Sequence, residues 1–333
     1  MASPNLSEIV TTTAYNRSKA LADNVSNNCA LLRRLRRRGN VKTFTGGRQI
    51  IQEIEYAENS TYKRYSGYDQ LDISPSDVIT AAEFNIAQAA VAISISGLEQ
   101  LQNSGENQMI DLLESRMGNA ERTLVNNIST DIYSDGTASG GKQIGGLDLI
   151  IDQTPAVGTV GAINAATWSF WQNVAFDCTT DGGAAATSAN IQSYMNQVYL
   201  QLVRGPDKPD MVVADNNYYR LYLESLQAIQ RVQADDMTQA GFQSLKYMNS
   251  DVVLDGGVGD EASANFASAS TGVMYFVNTN YLFFRPHRDR NFVPIGDERM
   301  AVNQDAMVKL IGFAGNMTVS NRSLQGVLSD DGS

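Results

Sequence analysis

The stretch from Gly46 to Leu98 constrains the fold more than any other. It opens with "RQIIQEIEY" and closes with "VITAAEFNIAQAAVAISIS", both of them β-compatible and the second unusually long for a strand. Between them runs "AENSTYKRYSGYDQLDISPSD", which is polar, dotted with tyrosine and rich in turn residues. Two long strands around a polar tip predict an extended hairpin standing off the body. Such a hairpin has little to bury itself against within one chain, so it calls for a neighbour.

The segment before it is basic. Residues 1–50 hold nine Lys and Arg against two acids, a net of +7, which leaves −18 for the rest of a chain whose formal charge is −11. Arg33, Arg34, Arg36, Arg37 and Arg38 are concentrated in "ALLRRLRRRGN". Leu21, Val25, Cys29, Leu32 and Leu35 recur at helical spacing, and Gly39 is a natural stop. The arginines therefore surround the end of an apolar helical stripe, where cations also oppose the negative C-terminus of a helix. Three uses are compatible with that placement: acidic groups on a copy of the same protein or another acidic partner, a solvated helix end, and phosphate. The apolar stripe beside the charges favours docking onto a protein surface.

Downstream, Ser104 predicts the cap of a helix reaching about Ser134, with Leu113, Met117, Ala120, Leu124, Ile128 and Ile132 on one side. The second half alternates in α/β fashion. "NIQSYMNQVYLQLVRGP" predicts a helix with Ile191, Met195, Val198 and Leu202 inward, and "DMVVAD" a short buried strand. Asp215 is placed to cap "NNYYRLYLESLQAIQR", and "DVVLDGG" is another strand. "GVMYFVNTNYLFFRP" and "AMVKLIGFAGNMTVSN" are expected as long strands joined by a charged loop, "HRDRNFVPIGDERMAVNQD".

The motifs that carry chemistry are weak. "GTASGGKQ" matches a phosphate loop only up to Gln143, which stands where a Ser or Thr should hold magnesium, and it follows a helix rather than a strand. "GVGDEA" lacks a good following helix and a ribose-binding acid. His287 is the sole histidine, which excludes a histidine triad or multi-histidine metal site within one chain. No catalytic residue, metal or cofactor is expected. Cys29 and Cys178 are too few for a disulfide framework, and both thiols are expected free in a reducing compartment. The start "MASPNLSEIV" lacks the regions of a secretion signal, and no window approaches the roughly 18 apolar residues of a membrane span.

A basic arm, a long hairpin, a spine helix and an α/β lobe closed by long strands resemble the major capsid protein of tailed bacteriophages, an α+β architecture known as the Hong Kong 97 fold. "DIYSDGT" leading to "QIGGLDLII", "LVRGPDKPDMVVADNNYYRLY" and "GNMTVSNRSLQGVL" strengthen the resemblance, which covers nearly the whole chain. It implies an N-terminal arm over 1–43, an extended loop over 44–81 and a peripheral domain over 82–147 with its spine helix at 105–134. It further implies an axial domain over 148–272, peripheral strands and loop over 273–322, and an axial tail over 323–333.

The inter-subunit contacts implied are the five arm arginines, the loop tip with Tyr62, Lys63, Arg64 and Tyr65, and the charged loop with Arg285, Arg288, Arg290, Asp297, Glu298 and Arg299. That loop suits reciprocal pairing between copies, or else a solvated surface. Some coats of this family form a lysine–asparagine cross-link. Lys63 lies in the tip, but nothing places an asparagine and a glutamate opposite it, and no cross-link is expected.

The expected partners are copies of the chain in hexamers and pentamers of a shell, a separate scaffolding protein, a portal, a decoration protein and non-specifically held double-stranded DNA. No membrane partner is expected. The location implied is the virion, assembled in the bacterial host cytoplasm. An encapsulin-type compartment uses the same fold, and a soluble α/β nucleotide-binding enzyme is the rival from another class.

Overall fold

The computed structural model describes residues 29–102, 112–226, 244–255, 272–295, 299–300 and 305–330. Helix α1 (Ala30–Arg38) ends on Gly39, whose left-handed φ of 74° lets its N–H bond back to the Arg36 carbonyl. The helix buries Ala30, Leu31 and Leu35, with Cys29 buried just ahead of it. Leu21 and Val25 lie outside the described residues.

Strands β1 (Gln49–Glu55) and β2 (Ile79–Asn85) pair antiparallel from Gln49↔Asn85 to Glu55↔Ile79. The expected long second strand does not run unbroken. It stops at Ile86 and restarts as β3 (Ala87–Ser96), which pairs in a different sheet. The buried parity flips there, from Ala82 and Phe84 to Ala87 and Ile93. A one-residue slip of this kind turns the opposite face to the core. Asn316 Nδ2 donates to the Asn85 carbonyl at 2.7 Å, satisfying the group the break leaves unpaired.

A short helix α2 (Gly97–Gln102) precedes α3 (Leu112–Asp131), which rises about 30 Å. Glu99 and Arg116 join the two through a 3.0 Å ion pair. Ala120, Leu124 and Ile128 form the buried side of α3, continued by Ile132. The expected start near Ser104 and the side chains of Leu113 and Met117 lie outside what is described.

After a turn of α4 (Leu147–Ile150), the small hairpin of β4 (Thr159–Val160) and β5 (Ile163–Asn164) forms a seat for the base of the long one. Gly161, at φ 60°, brings its carbonyl within 2.9 Å of the Glu83 N–H, and a Cβ there would lie 2.8 Å from that of Ala82. Only glycine meets both demands.

The remaining elements are β6 (Val174–Asp177), α5 (Ile191–Leu202), β7 (Met211–Ala214), α6 (Asn216–Ser225), β8 (Ser244–Tyr247), β9 (Ser250–Leu254) and β10 (Val273–Val277). They are followed by β11 (Leu282–Pro294), β12 (Arg299–Met300), β13 (Ala306–Val319) and β14 (Gly326–Ser329). One lobe is a mixed six-stranded sheet in the order β6-β14-β10-β7-β9-β8. One of its faces meets α5 and α6 through Val212, Ala214, Met274, Phe276 and Leu328. The other joins a second apolar cluster through Val213, Val253, Tyr275 and Val327. Burial on both faces is why "MVVA" and "VMYFV" are continuously apolar rather than alternating.

Helix α5 buries the predicted Ile191, Met195, Val198 and Leu202, and Asp215 caps α6 by accepting the Tyr218 N–H at 2.7 Å. In the second lobe β13 is the shared strand, with β3 along one edge and β11 and β12 along the other.

Two sequence expectations need correction here. "GVMYFVNTNYLFFRP" is not one strand: a turn over 278–281 separates β10, which lies in the six-stranded sheet, from β11, which lies in a different one. The charged stretch after it is not a loop throughout, because β11 continues to Pro294.

Candidate assembly surface

The hairpin has two unlike faces. Ile50, Ile54, Ala82 and Phe84 are buried in the main apolar cluster, and Tyr56 rests against Trp168 and Phe170 at ring distances of 6.1 and 5.7 Å. Ile51, Glu53, Glu55, Ile79 and Glu83 face outward. Beyond the ladder, residues 57–75 are almost all exposed, Tyr62, Lys63, Arg64 and Tyr65 included. The tip also exposes Tyr68, Leu71 and Ile73, the last at 93%. It keeps its shape through local polar bonds: Asn59 accepts from Thr61 N at 3.0 Å, Asp69 from Ser66 N at 3.0 Å and Asp72 from Ser74 N at 2.9 Å. Lys63 Nζ donates to the Gln70 carbonyl at 3.0 Å, across the tip.

The arm arginines divide into two groups. Arg34 Nε lies 3.1 Å from Asp210 and its Nη1 3.4 Å from Asp251, while Arg38 Nη2 lies 3.0 Å from Asp210. These two therefore neutralise acids of their own chain. Arg33, Arg36 and Arg37 are exposed.

The receiving acids were missed in the sequence, although a signal exists. "DMVVA" and "DVVL" each place an aspartate just at the start of a short apolar strand. β7 and β9 are parallel neighbours with Met211 opposite Asp251, so both aspartates fall at the same sheet end. Asp210 also accepts from Thr279 N and Oγ1, each at 2.7 Å. At the start of α1, Asp255 accepts the Ala30 N–H at 2.6 Å and the Tyr133 hydroxyl at 2.7 Å. Cys29 lies 3.3 Å from that hydroxyl, and burial pushes its thiol well above the ordinary range.

The "HRDR" run is a bulge. Pro286 pairs with Gly315 and Asn291 with Phe313, so His287, Arg288, Asp289 and Arg290 stand where β13 offers only Ala314. Arg288, Asp289 and Arg290 are exposed, and the Arg288–Asp289 pair at 3.7 Å is too exposed to contribute much. His287 is half-buried, edge-on to Phe44 at 5.0 Å. Arg285 turns back within the chain instead of outward, donating to Gln52 Oε1 at 2.8 Å, and burial lowers its pKa. Arg299 opens β12 opposite Val308, while Asp297 and Glu298 lie outside the described residues.

"GTASGGKQ" is an exposed turn after α3, and "GVGDEA" falls outside the described residues. Among the described residues no group of three or more His, Cys, Asp or Glu is placed to hold a metal ion. No described helix is long and apolar enough to cross a membrane.

No family model and no curated protein matches the sequence. Solved structures do match the fold. A chain of the Cyanophage A-1(L) capsid asymmetric unit shares 15% identity at a TM-score of 0.67, over 98% of this chain and 99% of that one. The SrpI encapsulin of Synechococcus elongatus PCC 7942 shares 8% at 0.57, over 97% and 95%. A chain of Mycobacterium phage Bobi shares 10% at 0.53, over 99% and 100%. The class defined is thus a mixed helix-and-sheet fold common to phage capsid and encapsulin structures.

Proposed function

We propose that this chain is a structural major capsid protein of a tailed bacteriophage, built on the Hong Kong 97-like fold and closing with many copies into an icosahedral head around double-stranded DNA. The supporting observation is the hairpin: its base is anchored in the core, while its tip presents Tyr62, Tyr65, Tyr68, Leu71 and Ile73 to solvent, well beyond the scattered apolar exposure of an ordinary monomer. In this reading α3 is the spine, the β11–β13 lobe is peripheral and the six-stranded lobe is axial.

The body's −18 suits a wall that repels the packed strand rather than holding it. Scaffolding, portal and decoration proteins would be separate partners, with assembly in the host cytoplasm before the chain resides in the virion. The reading assigns it no catalytic role.

Expression alone and with a scaffolding candidate, followed by electron microscopy, tests this. Closed shells with fivefold and sixfold rings are expected. A chain that stays monomeric at high concentration under all these conditions rules the reading out. The encapsulin likeness, at 97% coverage of this chain, supports a second reading as an enzyme-enclosing compartment. Packaged protein and no portal vertex would select it, whereas DNA and a portal select the phage head.

A further inference from the structure

We infer that the outer edge of β3 pairs antiparallel with the same edge of a second copy of this chain, with Ala90 on the two-fold axis between them. This rests on the reading above that the chain assembles.

The open edge follows from the ladder. Ile295 N donates to the Leu310 carbonyl at 2.7 Å, and Ser320 N, just past β13, donates to the Tyr281 carbonyl at 2.9 Å. The even residues of β13 thus bond toward β11, which leaves its odd residues for β3. The register sets those against odd residues of β3, from Ala87↔Gly315 to Ile95↔Met307, and the Gly97 N–H continues the parity by donating to the Asp305 carbonyl at 2.9 Å. The backbone N–H and C=O groups of the even residues of β3 therefore point away from the sheet. Two of these groups are satisfied locally: the Ser94 carbonyl accepts from Arg116 Nη1 at 2.6 Å, and the Ser96 N–H donates to Glu99 at 3.1 Å. Gln88, Ala90 and Ala92 have exposed side chains and no bond at this edge among the described residues.

An open edge invites a partner strand, and folded proteins blunt theirs with charge, proline, bulges or brevity. The other described edges are blunted or covered. β6 and β8, at the ends of the six-stranded sheet, are four residues long and carry Asp177 and Lys246. β1 and β2 expose Glu53, Glu55 and Glu83. β4, β5 and β12 are two residues each. β11 is covered by residues 40–44, which bond to the backbone of Phe284, Pro286 and Arg288. The ten residues of β3, "AQAAVAISIS", hold no charge and no proline, and their pairing has no bulge.

Symmetry and charge select the occupant. The open window runs from Gln88 to Ala92, between the break at Ile86 and the Arg116 bond at Ser94, and Ala90 is its centre. Antiparallel pairing about Ala90 sets Gln88 opposite Ala92 and Ala90 opposite itself, so each open donor on one copy meets an open acceptor on the other. No like charges face one another in that register. So short a window buries far less than the roughly 1,200–2,000 Å² of a stable interface, so the strands pair between copies that other contacts already hold. Head-to-tail contacts close rings, and a two-fold contact of this kind joins one ring to the next.

The test uses the full chain in assembled particles. Oxidised Ala90→Cys shells are expected to yield a disulfide-linked dimer, because a hydrogen-bonded pair holds its Cα atoms about 5.5 Å apart, within disulfide reach. Gln88→Cys should link to Ala92→Cys in mixed shells and not to itself. Ala90→Lys and Ala90→Glu each set like charges opposite one another, and each alone should raise the protein concentration needed for assembly by about fivefold. Mixing the two should bring it back toward the wild-type value. Ala90 is exposed and its N–H lies outside the chain's own ladder, so the unassembled variants should melt as the wild type does. Should a charged variant melt early, the cysteine pairs decide.

Normal assembly of Ala90→Lys chains, or shells without an Ala90→Cys dimer, overturn this contact and leave the capsid reading standing. So do charged variants that both fail and are not rescued by mixing, an outcome that puts a different segment or a different protein on the edge. Wild-type chains that never assemble remove both readings.

Discussion

Burial raises the pKa of Asp148 to about 6, with the nearby charges of Asp135 and Asp152 adding to the effect and the 3.1 Å hydrogen bond from the Tyr275 hydroxyl opposing it. The ordinary value is 3.8. Below that, folded and unfolded chains both hold the proton and the residue is neutral in stability. Between 3.8 and about 6 the unfolded chain releases a proton that the native one keeps, so stability falls as pH rises, and above about 6 the cost is fully present. Asp148→Asn keeps an acceptor for Tyr275 and removes the charge. It should stabilise the unassembled chain at pH 7.5 by up to about 3 kcal/mol and leave it unchanged near pH 3.5, as measured by chemical unfolding at both pH values. An equal gain at both would assign the effect to packing instead. Arg322 is the cationic counterpart. It is wholly buried, donates to the carbonyls of Ile150 and Trp171 at 2.6 and 3.0 Å and to Asn173 Oδ1 at 3.0 Å, and its pKa is lowered to about 10 by burial. Arg322→Leu strands those acceptors and should cost about 3 kcal/mol or more, and Arg322→Lys should recover only part, because one ammonium nitrogen cannot reach acceptors that the guanidinium meets from Nε, Nη1 and Nη2 separately. Neither residue was legible in the sequence, where an Arg in "NRSLQ" and an Asp in "LDLI" look solvent-facing.

At the scale of elements, the hairpin's two faces should separate stability from assembly. Phe84→Ala empties a buried site and should cost about 3–5 kcal/mol in unfolding of the isolated chain. Ile51→Ser, on the outward face at 63% exposure, should change unfolding by no more than about 0.5 kcal/mol while reducing shell yield. Comparable losses from both would show that the outer face serves the monomer. The hairpin itself was legible, because alternation and turn chemistry are local. So, in hindsight, was its break: the apolar positions Ala82, Phe84 and Ile86 are even, while Val91, Ile93 and Ile95 are odd, and that change of parity marks the switch of sheet. The "HRDR" bulge was not legible. Charge in a strand resembles a loop until the partner strand shows what it opposes. The acids that Arg34 and Arg38 meet were hidden for a related reason, since they lie some 170–220 positions away and are brought together only by parallel pairing of β7 with β9.

For the whole molecule, the sequence yields the order of elements and hides their sheet partners. β14 is the clearest case. It lies between β6, to which it is parallel, and β10, to which it is antiparallel, and all four of its residues are buried. Its Val327 belongs to the cluster shared with the hairpin and α3, and its Leu328 to the cluster beneath α5 and α6. Gly326 packs so closely that a Cβ there would lie 2.7 Å from Leu202 Cδ1. A strand that completes both cores from the far end of the chain makes the six-stranded lobe wait for its C-terminus, a non-local topology of the kind that folds slowly. Ending the chain at Asn321 should therefore abolish cooperative unfolding and near-ultraviolet circular dichroism, and leave a protease-sensitive product. The hairpin tip has the opposite role. Ser60 and Ser76 already approach to 3.4 Å, so replacing residues 61–75 with a short turn should preserve the melting transition within a few degrees and prevent shells from forming. If the tip-less chain still builds shells of normal size, the tip is a surface loop and assembly runs through other faces. If it fails to fold, the tip belongs to the monomer's core. Folding intact with assembly lost is the outcome that the proposed capsid function requires of the tip.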